Sequence, residues 1–168
     1  LREILALENT GYARIGIAHY ADTAKINSYL AMPEVKAVLN KGLIPMWSAK
    51  PIAGSENHFE LVAIKGETAP LDGDAVSDAR VQFGNAGGNP EVSMTMNAEG
   101  ARTWARLTKD NIGKQVAIVL DGMVYSYPTV NSEISGGSSE ISGNFTLEEA
   151  EDLANVLKSG KLPAPATI

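Results

Sequence analysis

Residues 113–165 leave the backbone the least choice in this sequence. In Gln115-Val116-Ala117-Ile118-Val119-Leu120 an apolar run carries three β-branched residues, the pattern of a strand covered on both faces. Asp121-Gly122 follows at once, a pair that accepts the positive φ angles of a two-residue hairpin turn. Residues 123–127, Met-Val-Tyr-Ser-Tyr, are then the predicted return strand, and Pro128 ends its ladder because it has no N–H to donate. The chain must fold around an antiparallel hairpin.

Beyond it, residues 135–143 are small and polar, which predicts a loop interrupted by a short strand around 140–142. Thr146 stands three residues before Glu149, a capping box in which each side chain satisfies the other's backbone N–H, and Phe145 and Ala150 occupy the staple positions. Leu147, Ala150, Leu153, Ala154 and Leu157 recur at helical spacing, with Glu148, Glu149, Glu151 and Asp152 placed where the helix dipole favours negative charge. Lys158 and Gly160 close this helix, Gly160 as the left-handed C′ residue.

These residues carry a resemblance. Residues 113–122 with Val124, Ser126, Pro128 and Val130, and then Ile134, Gly136-Gly137, Ile141-Ser142-Gly143, Phe145-Thr146, Glu149-Ala150, Leu153-Ala154, Leu157, Ser159-Gly160 and Leu162-Pro163-Ala164-Pro165, resemble the periplasmic region of the SecD family. A looser match covers Gly73, Asp74, Ala79, residues 92–96 and Glu99-Gly100-Ala101. Two departures fit a strand surface, Tyr127 where the family usually has a small residue and Ser142 where it usually has Thr; a larger one is the lack of the family's membrane spans, early base segment and membrane Asp-containing motif. The resemblance implies structural roles for Asp121, Gly122, Pro128, Gly143, Phe145, Thr146, Glu149, Gly160, Pro163 and Pro165. It also implies a bacterial inner-membrane parent, SecD alone or fused SecDF, with this portion on the periplasmic side, mostly the head of the first periplasmic domain. Such a parent assists the Sec channel, works with a SecF-like half, and uses the proton gradient through residues expected elsewhere. On that reading the sequence is a soluble fragment whose Pro-rich end leads toward the next membrane span.

Elsewhere the signals are local. Residues 1–7 suggest the tail of a helix, 14–18 a short strand, and Asp22 a cap for a helix over 23–31. Pro33 suits the first turn of a helix through 34–39, closed by Asn40 or Gly42. Residues 45–54 look irregular, and 59–64 form a strand. Residues 76–83 and 91–96 are an expected antiparallel pair across the 84–90 loop, and Asn97 caps a helix over 98–109 with Ala101, Trp104, Ala105 and Leu107 on its buried side. The fold class is therefore α+β: a mainly antiparallel sheet with helices packed on one side, plus a small helical N-terminal section. The expected division is 1–65 and 66–168.

A chain of 168 residues can bury a core without staples, and it has no cysteine. Its net charge of -6 and lack of a Lys/Arg cluster argue against nucleic acid as a partner. Nor is there chemistry to place. Asp72, Asp74 and Asp78 lack the spacing and terminal Glu of a calcium loop, and the Gly-rich 84–89 segment has no following Lys-Ser/Thr. His19 and His58 are far apart in sequence and outside ligand spacing, and Ser135, Ser138 and Ser139 lack a nucleophile elbow. No cofactor, metal or catalytic role is expected. The candidate contact residues are Trp47, Tyr125 and Tyr127, with Gly136 and Gly137 in the loop; Tyr125 and Tyr127 share a strand face by the two-residue period. The expected occupant is a translocating unfolded polypeptide, and the alternative is a noncatalytic spacer or oligomerisation module.

Overall fold

The computed structural model describes residues 6–7, 13–38, 42–66, 69–84, 88–143 and 145–159. In chain order the strands are β1 (Ala6–Leu7), β2 (Arg14–His19), β3 (Leu43–Pro51), β4 (His58–Lys65), β5 (Val76–Phe83), β6 (Pro90–Met96), β7 (Ile118–Leu120), β8 (Met123–Ser126) and β9 (Ser138–Ile141). The helices are α1 (Thr23–Leu30), α2 (Pro33–Val38), α3 (Ala98–Asp110) and α4 (Leu147–Ser159). Every strand pairing is antiparallel except β3 with β8, so the α+β class holds. The chain forms two units, Leu1–Thr68 with Ala117–Tyr127 and Ala69–Val116 with Pro128–Ile168. The hairpin thus belongs with the N-terminal residues, although the sequence suggests grouping it with its neighbours.

In the first unit six strands run in the order β1-β2-β4-β3-β8-β7. Ala18 of β2, Leu61 of β4 and Ile26 of α1 are buried together, with Ile15, Leu30 and Trp47 packed around them, so α1 covers this face. The cap differs from expectation. Asp22 has helical torsions (φ -94°, ψ -9°) and makes no side-chain cap bond; a 3-10 turn, Tyr20–Asp22, precedes α1, and His19 Nδ1 accepts the Ala21 N–H at 3.2 Å. An N-cap needs extended torsions to reach back to the helix amides, and His19 has them.

Four further expectations change in this unit. Ala6 and Leu7 are strand, not helix: they pair with Ile17 and Gly16, satisfying backbone groups that the edge of β2 would otherwise leave open. Of residues 45–54, expected to be irregular, 45–51 belong to the nine-residue β3, Leu43–Pro51. Its Pro45 is tolerated because the opposite residue, Ala63, sends its N–H away to the Ala13 carbonyl at 2.8 Å, so Pro45 lies at a pair that needs no donor toward β4. The N-terminal section is consequently mostly sheet. Finally, the 115–120 run is not a strand covered on both faces. Only Ile118–Leu120 join the sheet, at its edge, with Val119 37% exposed, while Gln115 bridges Thr129 in the other unit. The turn is as expected: Asp121 (φ 50°) and Gly122 (φ 74°) are both left-handed, joining Leu120 to Met123.

In the second unit β5, β6 and β9 form an antiparallel sheet. Ala79, Val92, Met94, Met96, Ser139 and Ile141 alternate inward, and α4 packs on β5 and β6 with Ala150, Leu153 and Ala154 buried. β9 begins two residues before the expected strand, because pairing runs from Ser138↔Thr95 to Ile141↔Val92. The capping box is formed: Thr146 N–H donates to Glu149 Oε2 at 2.9 Å and Glu149 N–H to Thr146 Oγ1 at 3.2 Å. Leu147 is 47% exposed, so the buried stripe starts at Ala150, one turn later than the spacing suggests. Gly160, Pro163 and Pro165 lie outside the described residues, as does Asn40.

Asn97 caps α3 as expected, its Oδ1 accepting the Gly100 N–H at 2.8 Å. The expected buried side of this helix is only half-buried; the residues it buries fully are Gly100 and Thr108. A Cβ at Gly100 would lie 2.7 Å from Ala75 Cβ and 3.0 Å from its carbonyl oxygen, which fixes glycine at this contact. Gly100→Ala is therefore expected to destabilise the protein by about 1–3 kcal/mol through overpacking. Gly136→Ala, where an added Cβ meets nothing within 4 Å, should stay within about 0.5 kcal/mol of the parent. Urea titration of both variants checks the contrast.

Candidate functional site

Between Trp47 and Pro51 of β3 the ladder with β4 slips: the flanking partners are Leu61 and Phe59, so Ser48, Ala49 and Lys50 stand opposite Glu60 alone. The extra residues would leave Glu60 without a main-chain acceptor. Ser48 supplies one, its buried Oγ accepting the Glu60 N–H at 3.0 Å and donating to the Lys50 carbonyl at 2.7 Å. Ser48 is also the residue through which β8 joins, by a parallel bridge to Val124, itself 1% exposed.

At this bulge a cleft of about 440 Å³ opens within the first unit. Lys50, Pro51, Ile52 and Ala53 form one wall, Val124, Tyr125 and Tyr127 another, and Arg14, Ser48 and Glu60 also line it. Arg14 Nη1 donates to Glu60 Oε1 at 2.6 Å and the Tyr127 hydroxyl donates to Glu60 Oε2 at 2.6 Å. Lys50 Nζ lies 5.0 Å from the centroid of the Tyr125 ring, within cation–π range. The cleft thus combines apolar surface, an aromatic wall and a neutralised carboxylate.

The sequence-predicted contact residues separate. Tyr125 and Tyr127 line the cleft together, in keeping with their shared strand face. Trp47 instead packs against the Ala18, Ile26 and Leu61 cluster and donates its indole N–H to Asn27 Oδ1 at 2.8 Å. Gly136 and Gly137 belong to the second unit. Gly137 is buried at φ 71°, with its carbonyl accepting the Met96 N–H at 2.7 Å, while Gly136 is exposed. Phe145 packs at Gly143, where an added Cβ would lie 3.0 Å from the ring.

Two residues that seem unrelated in sequence do meet. His19 and His58 are cross-strand partners on β2 and β4, with ring centroids 5.3 Å apart at 83°. Ser55 Oγ lies 2.8 Å from His58 Nδ1. Among the described residues no three His, Cys, Asp or Glu side chains group as a metal site, and no helix is long and apolar enough to cross a membrane. Sequence reasoning missed Arg14, Ser48, Lys50 and Glu60; no motif marks them, and they converge only because β3 is a bulged strand.

The bulge has a measurable consequence. Ser48→Ala removes the acceptor for the Glu60 N–H and is expected to destabilise the protein by about 1–3 kcal/mol, the cost of an unsatisfied partly buried donor. Denaturant unfolding monitored by Trp fluorescence measures it.

Similarity to known proteins covers most of the chain. The family model for the SecDF P1 head subdomain matches residues 52–164. The protein translocase subunit SecD of Rhodothermus marinus is 48% identical over 155 residues, 91% of this chain and 25% of that protein. The SecD of Desulfurispirillum indicum is 51% identical over 96 residues, 57% of this chain and 19% of that protein. The chain therefore spans a quarter or less of either relative. Among solved structures, a crystal structure of SecDF in a super-membrane-facing form aligns with a TM-score of 0.52 at 40% identity, covering 84% of this chain and 17% of that one. A second, of SecDF as a membrane component that enhances protein export, aligns with a TM-score of 0.53 at 36% identity, covering 98% of this chain and 65% of that one.

Proposed function

Because the chain belongs to the SecDF family and matches its P1 head subdomain, we propose that it is the periplasmic part of an inner-membrane accessory protein of the Sec translocon. It assists proton-gradient-driven export by transiently holding the translocating polypeptide, alongside the Sec channel and a SecF-like half. The role is noncatalytic.

One observation carries the holding role: a single hairpin offers both a strand edge and an aromatic wall. Among the described residues no strand pairs the outer side of β7, and Val119 of that strand is 37% exposed. Tyr125 of β8 lines the cleft behind it. Strand addition to such an edge binds main chain irrespective of sequence, and an aromatic wall accepts varied side chains. The spacer reading has its own support, since Trp47, Tyr127 and Gly137 each make a hydrogen bond within the protein.

Photo-crosslinking separates the two. With a photoreactive residue at Tyr125, Ile52, Val119 or, as internal control, Trp47 of the full-length membrane protein, a stalled secretory chain should yield adducts from the first three and few from Trp47. If Tyr125, Ile52 and Val119 all fail while export proceeds, the spacer reading replaces capture.

A further inference from the structure

Glu60 sits in the interior strand β4 with its side chain 16% exposed, yet its carboxylate serves the hairpin that arrives from residues 117–127. One oxygen takes Arg14 Nη1 at 2.6 Å and the other takes the Tyr127 hydroxyl at 2.6 Å. Each oxygen has its own charge-assisted donor, which fixes the orientation of the carboxylate more firmly than a single bond does. β3 lies between β4 and β8, so the Glu60–Tyr127 bond reaches across β3 to the residue that follows β8. The β3 bulge and its small Ser48 accompany that reach.

The ladder between β3 and β8 is a single bridge, Ser48↔Val124. Past it Tyr125 and Tyr127 line the cleft, as do Lys50, Pro51 and Ile52. The main chain ties the hairpin to β3 at Val124; three residues later, the Tyr127 side chain ties it to β4. We propose that Glu60 is a positioning residue, a latch that holds the Tyr125–Tyr127 wall against the sheet and so sets the opening of the cleft. The further consequence, which rests on the capture reading above, is that polypeptide contact at Tyr125 depends on Glu60 without Glu60 having to touch the polypeptide.

Hydrogen exchange of the full-length membrane protein, read by mass spectrometry without any secretory chain present, tests the latch. Tyr127→Phe, which removes only the hydroxyl, is expected to speed exchange across 123–127 by about tenfold, the effect of one lost charge-assisted hydrogen bond on local opening. Glu60→Ala should do the same. Glu60→Gln, which keeps an acceptor for the hydroxyl, should recover most of the protection. The double variant Glu60→Ala/Tyr127→Phe should add little to either single one, because the two groups act as a unit. Glu60→Ala also removes the partner of Arg14 on β2, so β2 is read in Tyr127→Phe, where exchange in β2 and in the β5–β6 pair should not change. Unchanged exchange across 123–127 in Tyr127→Phe overturns the latch, and so does acceleration spread evenly through β2 and the hairpin, which marks a general packing role. A crosslinking arm separates this from capture: with both ideas right, Tyr127→Phe lowers the Tyr125 adduct and spares the Val119 adduct. A clear exchange effect with no Tyr125 adduct in the parent leaves the latch standing and removes capture at this cleft.

Discussion

Three residues of β3, Ser48, Ala49 and Lys50, face one residue of β4, Glu60, and the first unit is arranged around that mismatch. Bulges bend their strand and increase its twist. Before the bulge, Trp47 pairs with the fully buried Leu61 and packs on the helix-covered core. At its end and just beyond it, Lys50 and Pro51 line the cleft. Ser48 makes the change of role affordable, because its hydroxyl closes the broken ladder and its backbone receives β8. A regular β3 would give Glu60 a main-chain acceptor and remove the reason for a buried serine. Ladder repair, hairpin docking and cleft therefore share one residue.

What was legible in the sequence is what local chemistry decides. Asp121-Gly122 specifies its turn because few other residue pairs tolerate two left-handed positions, and Thr146 with Glu149 specifies a helix start because both bonds close within three residues. β3 was hidden because Pro45 and Pro51 count against a strand in any local reading; their tolerance follows from pairing with β4, where Pro45 owes no donor and Pro51 is the last residue. The edge position of β7 was hidden for a related reason. An apolar run looks the same whether neighbours cover it or a partner is still to come, and only the strand order distinguishes them.

The candidate site divides along the same line. Tyr125 and Tyr127 can be paired from the sequence because they lie two apart on one strand. The groups that hold them cannot: the Arg14–Glu60 bond spans 46 residues and the Tyr127–Glu60 bond spans 67. His19 and His58 make the same point, since cross-strand register, not sequence spacing, brings their rings together. Trp47 is the converse case: its half-buried ring packs on the Ala18, Ile26 and Leu61 cluster, while its indole N–H reaches Asn27 Oδ1 on α1, a partner that no local pattern marks.

A short edge suits a role in which a chain must be held and then let go. β7 has three residues, so strand addition gains two or three main-chain bonds, worth about 1 kcal/mol net apiece. A stacked aromatic such as Tyr125 adds about 0.5–1.5 kcal/mol. The total falls near the roughly 4 kcal/mol of a millimolar complex, before the cost of ordering an unfolded chain. Under the proposed capture role, binding that weak retains a polypeptide only while its local concentration is kept high. A longer edge or a deeper pocket would bind more tightly and release more slowly, defeating repeated capture.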